Sequence, residues 1–180
     1  LDILMGLAAP QLGRIVVNGV RRDWHALSSY RAHIAGILQD TPTGLSSISA
    51  FIGQNAPMAR ESDILQAAAD AGLANAIAAL PMGMQSLVAE GGFPRSLGQQ
   101  LLIARALAQQ PHLLVLDETF STLDLKVVET ILSAVRRRVM AVVFVTHRAD
   151  LAALADRTIS LDPSLPSTDL SAIRQAECAP

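Results

Sequence analysis

The stretch that decides the fold is Leu113-Leu114-Val115-Leu116-Asp117-Glu118, four apolar residues followed by two adjacent acids. It follows the helix breaker Pro111, and an apolar run of this length is typical of a strand buried on both faces of a parallel sheet. Ligands of such sheets lie beyond the carboxyl ends of the strands, where Asp117 and Glu118 would emerge. One acid of the pair could hold Mg²⁺ while the other polarises a water molecule. The alternative is a core strand that ends in two solvated acids.

The length and composition favour one globular domain, or one core with a small inserted subdomain. The chain has 180 residues, of which 51% are hydrophobic and 17% charged, and this balance argues against disorder. Aromatic residues make up 3% and the net charge is -2, so the sequence predicts no nucleic-acid partner. The sequence shows no apolar run of membrane-spanning length and no signal-peptide pattern.

The remaining pattern alternates short strands with helices. Besides the opening stretch, we predict a hairpin strand at 13–20 with an Asn-Gly turn, strands at 34–38 and 141–147, the latter strongly buried, and a last strand at 158–161. We predict helices after residue 27 and at 49–54, 63–73, 74–80, 96–110, 125–138 and 151–155. Ser62 is the expected N-cap of the helix at 63–73. The Ala-rich helices before residue 89 predict a small helical subdomain.

A polar motif, Ser96-Leu97-Gly98-Gln99, opens the helix predicted at 96–110. Ser96 and Gln99 have the spacing of a capping box. A helix start offers free backbone N–H groups and a positive dipole end to an anion such as a phosphate. The alternative is an ordinary capped helix.

Several motifs follow one another along the chain. They are Gln39 after a strand, Ser96-Leu97-Gly98-Gln99, Ile103-Ala104-Arg105-Ala106-Leu107, the stretch that ends in Asp117-Glu118, Ser121-Thr122-Leu123-Asp124, and His147 after another strand. In this order they resemble the nucleotide-binding domain of ABC transporters over about residues 1 to 162. The resemblance is greatest to exporters with a fused membrane domain, such as bacterial toxin and peptide secretion systems. It implies an α/β fold, a P-loop NTPase (RecA-like) parallel-sheet core with an inserted α-helical subdomain, its N-terminal part missing from this sequence.

The resemblance implies a role for each of the two acids, for a glutamine and for a histidine. Asp117 is similar to the Walker B aspartate that supports Mg²⁺, and Glu118 to the catalytic glutamate that orients water towards the γ-phosphate of ATP. Gln39 resembles the Q-loop glutamine, which contacts Mg²⁺ and the attacking water. His147 resembles the switch histidine that contacts the γ-phosphate. The alternatives are a polar loop residue at position 39 and a structural histidine at position 147.

Two motifs resemble those that meet a second copy of the domain. Ser96, Gly98 and Gln99 resemble the signature motif, whose helix closes over ATP held by the other subunit. Asp124 resembles the D-loop aspartate, which crosses to that subunit. The alternative for Asp124 is a helix N-cap, and both roles can hold together.

The chain departs from the family pattern at the signature helix and at the phosphate loop. The family reads Leu-Ser-Gly-Gly-Gln, whereas Arg95 here occupies an apolar position and Leu97 replaces a glycine. The interval from Gln99 to Ile103 is about two residues shorter, which rotates a helix by roughly 200°. No G-x-x-x-x-G-K-[ST] motif occurs. Residues 1–7 resemble the helix that follows this P-loop, so we expect the motif just before residue 1.

The resemblance also implies a division of the chain and a function. We expect a partial ATPase core at 1–42, a helical signature subdomain at 43–98, the rest of the core at 99–162 and a tail at 163–180. The implied function is ATP hydrolysis that powers export across the bacterial inner membrane.

The implied cofactors are ATP and Mg²⁺. The implied partners are a second nucleotide-binding domain and a transmembrane domain fused upstream, which would hold the chain at the cytoplasmic face. Because the P-loop is absent, we expect negligible ATP binding by the 180 residues alone. The alternatives are a degenerate, non-hydrolysing regulatory domain and a soluble ABC ATPase of DNA repair or translation.

Overall fold

A three-stranded parallel sheet lies at the centre of the fold. The computed structural model describes residues 1–13, 15–17, 19–22, 28–38, 46–88, 93–138 and 140–160. The strands in these ranges are β1 (Ile15–Val17), β2 (Val20–Arg22), β3 (Ile34–Ile37), β4 (Ser46–Ser47), β5 (Leu87–Val88), β6 (Leu113–Asp117) and β7 (Ala141–Val145). The α-helices are α1 (Ser28–Arg31), α2 (Ile48–Gly53), α3 (Glu61–Asp70), α4 (Ala74–Ala78), α5 (Arg95–Ala108), α6 (Leu125–Arg137) and α7 (Ala149–Ala152).

The central strand β6 pairs in parallel with β3 on one side and β7 on the other. Leu114, Val115 and Leu116 are 0% exposed, which confirms the prediction of a strand buried on both faces. Consecutive aliphatic side chains alternate between the two faces, so both faces must be covered. Leu116 lies beside Ile37 in the register, and the three strands therefore end at one edge of the sheet.

The strand β7 is less buried than predicted. None of its residues is fully buried, and Val143 is 38% exposed. Among the described residues β7 pairs only with β6, so it forms an edge of the sheet and one of its sides meets solvent.

The last predicted strand is wrong for residues 158–160, which are exposed and carry no strand pairing. Residue 161 lies outside the described residues. A short segment becomes a strand only where a neighbour completes its hydrogen bonds. Here the segment is held instead by a long contact from the Thr158 hydroxyl to the Ala152 carbonyl, at 3.4 Å.

The hairpin prediction is confirmed. β1 and β2 pair antiparallel, with Val17 opposite Val20, although Asn18 of the expected turn lies outside the described residues. Residues 1–7 form a helical turn that ends at Gly6, whose φ is 69°. The Gly6 N–H donates to the Ile3 carbonyl, and the next N–H reaches Asp2, which is the hydrogen-bond pattern of a Schellman motif.

The helix α1 fastens this first turn to the sheet. The Tyr30 hydroxyl donates to the Leu4 carbonyl at 2.8 Å, and Arg31 donates to the Gly6 carbonyl at 3.2 Å. Met5 is buried against Gly36 of β3, where a Cβ would overlap its sulfur. Burial raises the pKa of Tyr30 above its ordinary value of 10.0.

Tyr30 is the only tyrosine of the chain, so its ionisation can be followed directly. We expect absorbance titration at alkaline pH to give a pKa above 10.0 in the folded chain and the ordinary value in urea. Because the folded-state pKa is raised, the stability that the neutral phenol contributes is complete below pH 10 and falls as the pH rises through the folded value. Identical titration curves in the two solvents would contradict the anchoring of the first turn.

The helices α2 to α4 lie between β3 and α5 in sequence, as the predicted helical subdomain requires. β4 and β5 pair antiparallel and join the two ends of this segment. The N-cap of α3 is Arg60, not Ser62 as predicted. The reason is that the Asp63 carboxylate accepts the Arg60 N–H at 2.9 Å, which satisfies the helix start two residues earlier. In the described part of the chain no helix has the length and apolar character needed to cross a bilayer.

A buried ion cluster joins this helical segment to the rest of the fold. Asp70, at the end of α3, is 5% exposed and pairs with Arg138 at 2.6 Å and with Arg137 at 3.2 Å. The Gln66 amide donates to the same carboxylate. Arg138 also donates to the Leu107 carbonyl of α5 at 2.9 Å. The Asp70 carboxylate therefore connects α3 to the end of α6, and Arg138 extends the connection to α5.

The two arginines give a matched pair of variants. Arg138→Gln should lower the free energy of unfolding by about 3 kcal/mol, because it leaves the buried Asp70 carboxylate without its main partner. Arg137→Gln should cost less than about 1 kcal/mol, since 65% of the Arg137 side chain is exposed. Urea denaturation of both variants measures the difference. Equal losses would show that Arg138 is not the main partner of Asp70.

Candidate functional site

The site begins where the central strand ends. Asp117 is the last residue of β6, and Glu118 follows with a left-handed φ of 50°. Its N–H donates to the Val145 carbonyl of β7 at 3.2 Å. A non-glycine residue in this conformation costs about 1 kcal/mol, and such strain is typical of functional positions.

Glu118 and His147 come together across the ends of β6 and β7. The His147 Nε2 lies 3.5 Å from the Glu118 Oε1, and 94% of the histidine side chain is exposed. At this distance the two form an ion pair only when the imidazole is protonated. The Glu118 Oε1 is buried and accepts no hydrogen bond within the described ranges. A buried acceptor of this kind suits a water molecule or a ligand donor.

The turn after Glu118 is fixed at both ends. The Ser121 N–H, at 3.1 Å, and the Ser121 hydroxyl both donate to the Glu118 carbonyl. Phe120 is 1% exposed and meets Phe144 of β7 edge to face, with ring centroids 5.3 Å apart. Thr119, 2% exposed, donates its hydroxyl back to the end of β6. The turn is therefore anchored in the core below the two acids.

Asp124 occupies the N-cap position of α6, which is where the alternative interpretation of this residue placed it. Its carbonyl accepts the N–H groups of Val127 and Val128 at 3.0 and 3.1 Å. Its carboxylate makes no capping hydrogen bond. The Asp124 side chain, which resembles the D-loop aspartate, therefore does not cap the helix.

Arg148 is a residue of the site that the sequence analysis did not single out. Its guanidinium donates to both carboxylate oxygens of Asp150, at 3.2 and 2.6 Å, and also reaches the turn before Asp124. This hydrogen bond holds the pKa of Asp150 below its usual value and raises that of Arg148. The pair is thus charged at neutral pH. Its contribution to the stability of the fold is lost as the pH falls through the lowered Asp150 pKa. A signal was present in the sequence: an arginine directly after the strand-ending histidine, with an acid two residues later.

The signature residues lie in the first turns of α5, but the predicted capping box is wrong. α5 begins at Arg95, and the N-cap is Pro94, whose carbonyl accepts the Gly98 N–H at 3.1 Å. Ser96 is therefore inside the helix and makes no capping bond. The helix start keeps the unpaired N–H groups that any α-helix has there.

Gly98 and Gln99 show features that their own chain does not explain. A Cβ at Gly98 would meet nothing within 4 Å, and the Gln99 Oε1 is buried without a hydrogen bond in the described part of the chain. The next residue, Gln100, donates to the Ala71 carbonyl at 3.0 Å. Leu97, which replaces a family glycine, packs against the core.

The structure brings some of the predicted site residues together and leaves others apart. Asp117, Glu118 and His147 share one edge of the sheet, and Asp124 follows on the adjoining turn. Within the described residues no hydrogen bond or ion pair joins the start of α5 to these acids or to His147. Gln39 lies outside the described residues. In the same ranges no cluster of three or more His, Cys, Asp or Glu side chains could hold a metal ion by itself.

Comparison with known proteins agrees with this geometry. Residues 1–121 match the family model described as ABC transporter. The chain belongs to the ABC transporter family. The resemblance found from the motifs and the α/β fold with a parallel-sheet core are both confirmed.

The relatives of this ABC transporter domain include a secretion protein, a flippase and an exporter. It is 30% identical over 163 residues to the colicin V secretion/processing ATP-binding protein of Escherichia coli, covering 89% of this chain and 23% of that protein. It is 33% identical over 159 residues to the ATP-dependent lipid A-core flippase of Burkholderia orbicola, covering 85% and 26%. A solved bacterial Atm1-family ABC exporter with ATP bound matches with a TM-score of 0.77 and 29% identity, over 84% of this chain and 28% of that one. The ABC transporter domain thus spans about a quarter of the proteins that it matches.

The strained backbone at Glu118 gives a test of the site. Glu118→Gly should be about 1 kcal/mol more stable than Glu118→Ala, because both lose the side chain and only alanine keeps the cost of a positive φ. Thermal unfolding of the two variants measures the difference. An alanine variant as stable as the glycine variant would show that position 118 does not hold the left-handed conformation.

Proposed function

We propose that this domain hydrolyses ATP with Mg²⁺ and powers export across the bacterial inner membrane. The observation that carries the proposal is the Glu118 carboxylate, which lies at the end of the central strand, beside His147, with a buried oxygen that takes no hydrogen bond in the described residues. Two acids and a histidine at this edge suit the ordering of water against a phosphate.

Three residues of this chain would have separate roles in ATP hydrolysis. Glu118 would orient the water molecule through its buried Oε1, and the exposed imidazole of His147 would contact the γ-phosphate. Asp117 would support Mg²⁺, which neutralises charge on the phosphates. The three residues lie at or just beyond the ends of the adjacent strands β6 and β7, so the sheet brings their backbones together. The Gln39 contact with water and Mg²⁺ stays a prediction.

A second copy of the domain would complete the site. The open space at Gly98 and the unpaired Gln99 oxygen leave room at the start of α5 for a group from outside the chain. An anion is favoured there by the helix dipole. We therefore propose that Ser96, Gly98 and Gln99 face ATP held by the second domain, and that Asp124 crosses to it.

The relatives' length supports a membrane-attached protein. One of them is a fatty acid ABC transporter ATP-binding/permease protein of Mycobacterium bovis, 32% identical, of which this chain covers 26%. We propose a transmembrane domain fused upstream and a location at the cytoplasmic face. We propose core parts at 1–42 and 99–162 around a helical subdomain at 43–98. The tail at 163–180 lies outside the described residues.

A degenerate, regulatory domain is the second candidate. One observation favours it: Arg95 and Leu97 depart from the signature pattern. In that case Glu118 would be present without supporting turnover.

The Glu118→Gln variant separates the two candidates. In the intact natural polypeptide, reconstituted in lipid, its steady-state ATPase rate should fall by roughly 10³-fold, because the amide cannot act as a base. The control is Glu129→Gln, which changes an exposed acid of α6 and should leave the rate unchanged. Equal, low rates for the wild type and Glu118→Gln would support the regulatory role and exclude the motor.

A further inference from the structure

The guanidinium of Arg148 connects the turn before Asp124 with the segment that carries His147. Its Nη1 donates to the carbonyl oxygens of Ser121 and Leu123, at 3.2 and 3.0 Å. Its Nε and Nη2 are occupied by the Asp150 carboxylate. Because that pairing uses both donors of one edge, it fixes the plane of the guanidinium and directs Nη1 at the turn.

These contacts close a ring of interactions around the site. Arg148 holds the Ser121 carbonyl, and Ser121 in turn donates to the Glu118 carbonyl. The Glu118 side chain lies 3.5 Å from His147, the residue directly before Arg148. A shift of the turn would therefore displace both Glu118 and His147.

His147 depends on such support because it has little packing of its own, with 94% of its side chain exposed. The Arg148 N–H donates to the Thr146 hydroxyl at 3.1 Å, so the backbone on both sides of His147 is constrained. The side chain of Arg148 then ties this short segment to the turn. The position of the imidazole is thereby set through its neighbour.

We propose that Arg148 is a positioning residue that holds residues 121–123, and with them Asp124, in a fixed place relative to His147. The proposal rests on the proposed function, since it concerns the efficiency of ATP hydrolysis. Asp124 adds a favourable charge interaction with the guanidinium. If Asp124 faces a second domain, Arg148 links the residue before Asp124 to the residue after His147.

The chain contains a closely matched control. Arg136 also pairs with a carboxylate, Asp156, at 3.2 Å, and also reaches a carbonyl, that of Leu154, at 3.4 Å. These partners lie after α7 and do not include the turn at 121–123. Arg136→Gln therefore removes the same kinds of interaction away from the site.

The kinetic test compares the variants in the intact natural polypeptide in lipid. Arg148→Gln should lower kcat by roughly tenfold with KM for ATP almost unchanged, because misplacement of the site affects the reaction more than binding. Arg148→Lys should not restore kcat, since an ammonium cannot hold the carboxylate and two carbonyls together. Arg136→Gln should retain the wild-type kcat. A wild-type kcat in Arg148→Gln, or equal losses in the two Gln variants, would overturn the proposal.

Amide hydrogen exchange tests the same link without relying on hydrolysis. The amides of residues 119–124 should exchange several-fold faster in Arg148→Gln, and at the wild-type rate in Arg136→Gln. Unchanged exchange at these amides in Arg148→Gln overturns the positioning role. If Glu118→Gln hydrolyses ATP like the wild type, the proposed function fails, and the exchange comparison alone then decides whether Arg148 holds the turn.

Discussion

The hydrogen-bonded pairing of β6 with both of its neighbours is the constraint on which the structure depends. Because β6 has a strand on each side and its middle residues are fully buried, other elements must cover both of its faces. The two helices that flank β6 in sequence, α5 and α6, are both long and carry buried apolar faces. The parallel arrangement also gathers the strand ends at one edge, so the location of the site is a consequence of the pairing.

At this edge of the sheet the backbone is anchored in the core, whereas the side chains make few hydrogen bonds. Glu118 leaves the strand in a strained conformation, and the following turn is anchored by Phe120 in the core. The side chains that would meet a ligand make few bonds of their own: the Glu118 Oε1 accepts none in the described ranges, and His147 is almost fully exposed. An arrangement of this kind holds the chemical groups in place and leaves their bonding capacity for a ligand.

The helical segment is joined to this framework by apolar packing of α2 and α3 against α5, and also by polar contacts at its periphery. Asp70 links α3 to the end of α6, and Gln100 joins α5 to the carbonyl that follows α3. Directional bonds of this type fix the relative placement of helices more specifically than apolar packing alone. The start of α5, with its open Gly98, is thereby carried at a defined place relative to the sheet.

The central strand, the hairpin, the order of the main elements and the residues that end the strands can be predicted from the sequence. These features depend on local patterns, since an apolar run, an Asn-Gly pair or a helical periodicity predicts its structure from a few neighbouring residues. The same patterns misplaced the caps at Ser62 and Ser96: the Asp63 carboxylate accepts the Arg60 N–H, and α5 begins at Arg95, directly after Pro94. They also overestimated the burial of β7 and predicted a strand at 158–160, since burial and pairing depend on which neighbours are present in space.

The tertiary structure alone decided which distant side chains meet. The approach of His147 to Glu118, the bridge from Arg148 to the turn at 121–123 and the buried Asp70 cluster all join residues far apart in the chain. No local pattern encodes such a contact, because it depends on the register of parallel strands and on the crossing of helices over them. The sequence thus specified the chemical groups and the edge to which they belong, and the packing decided their geometry.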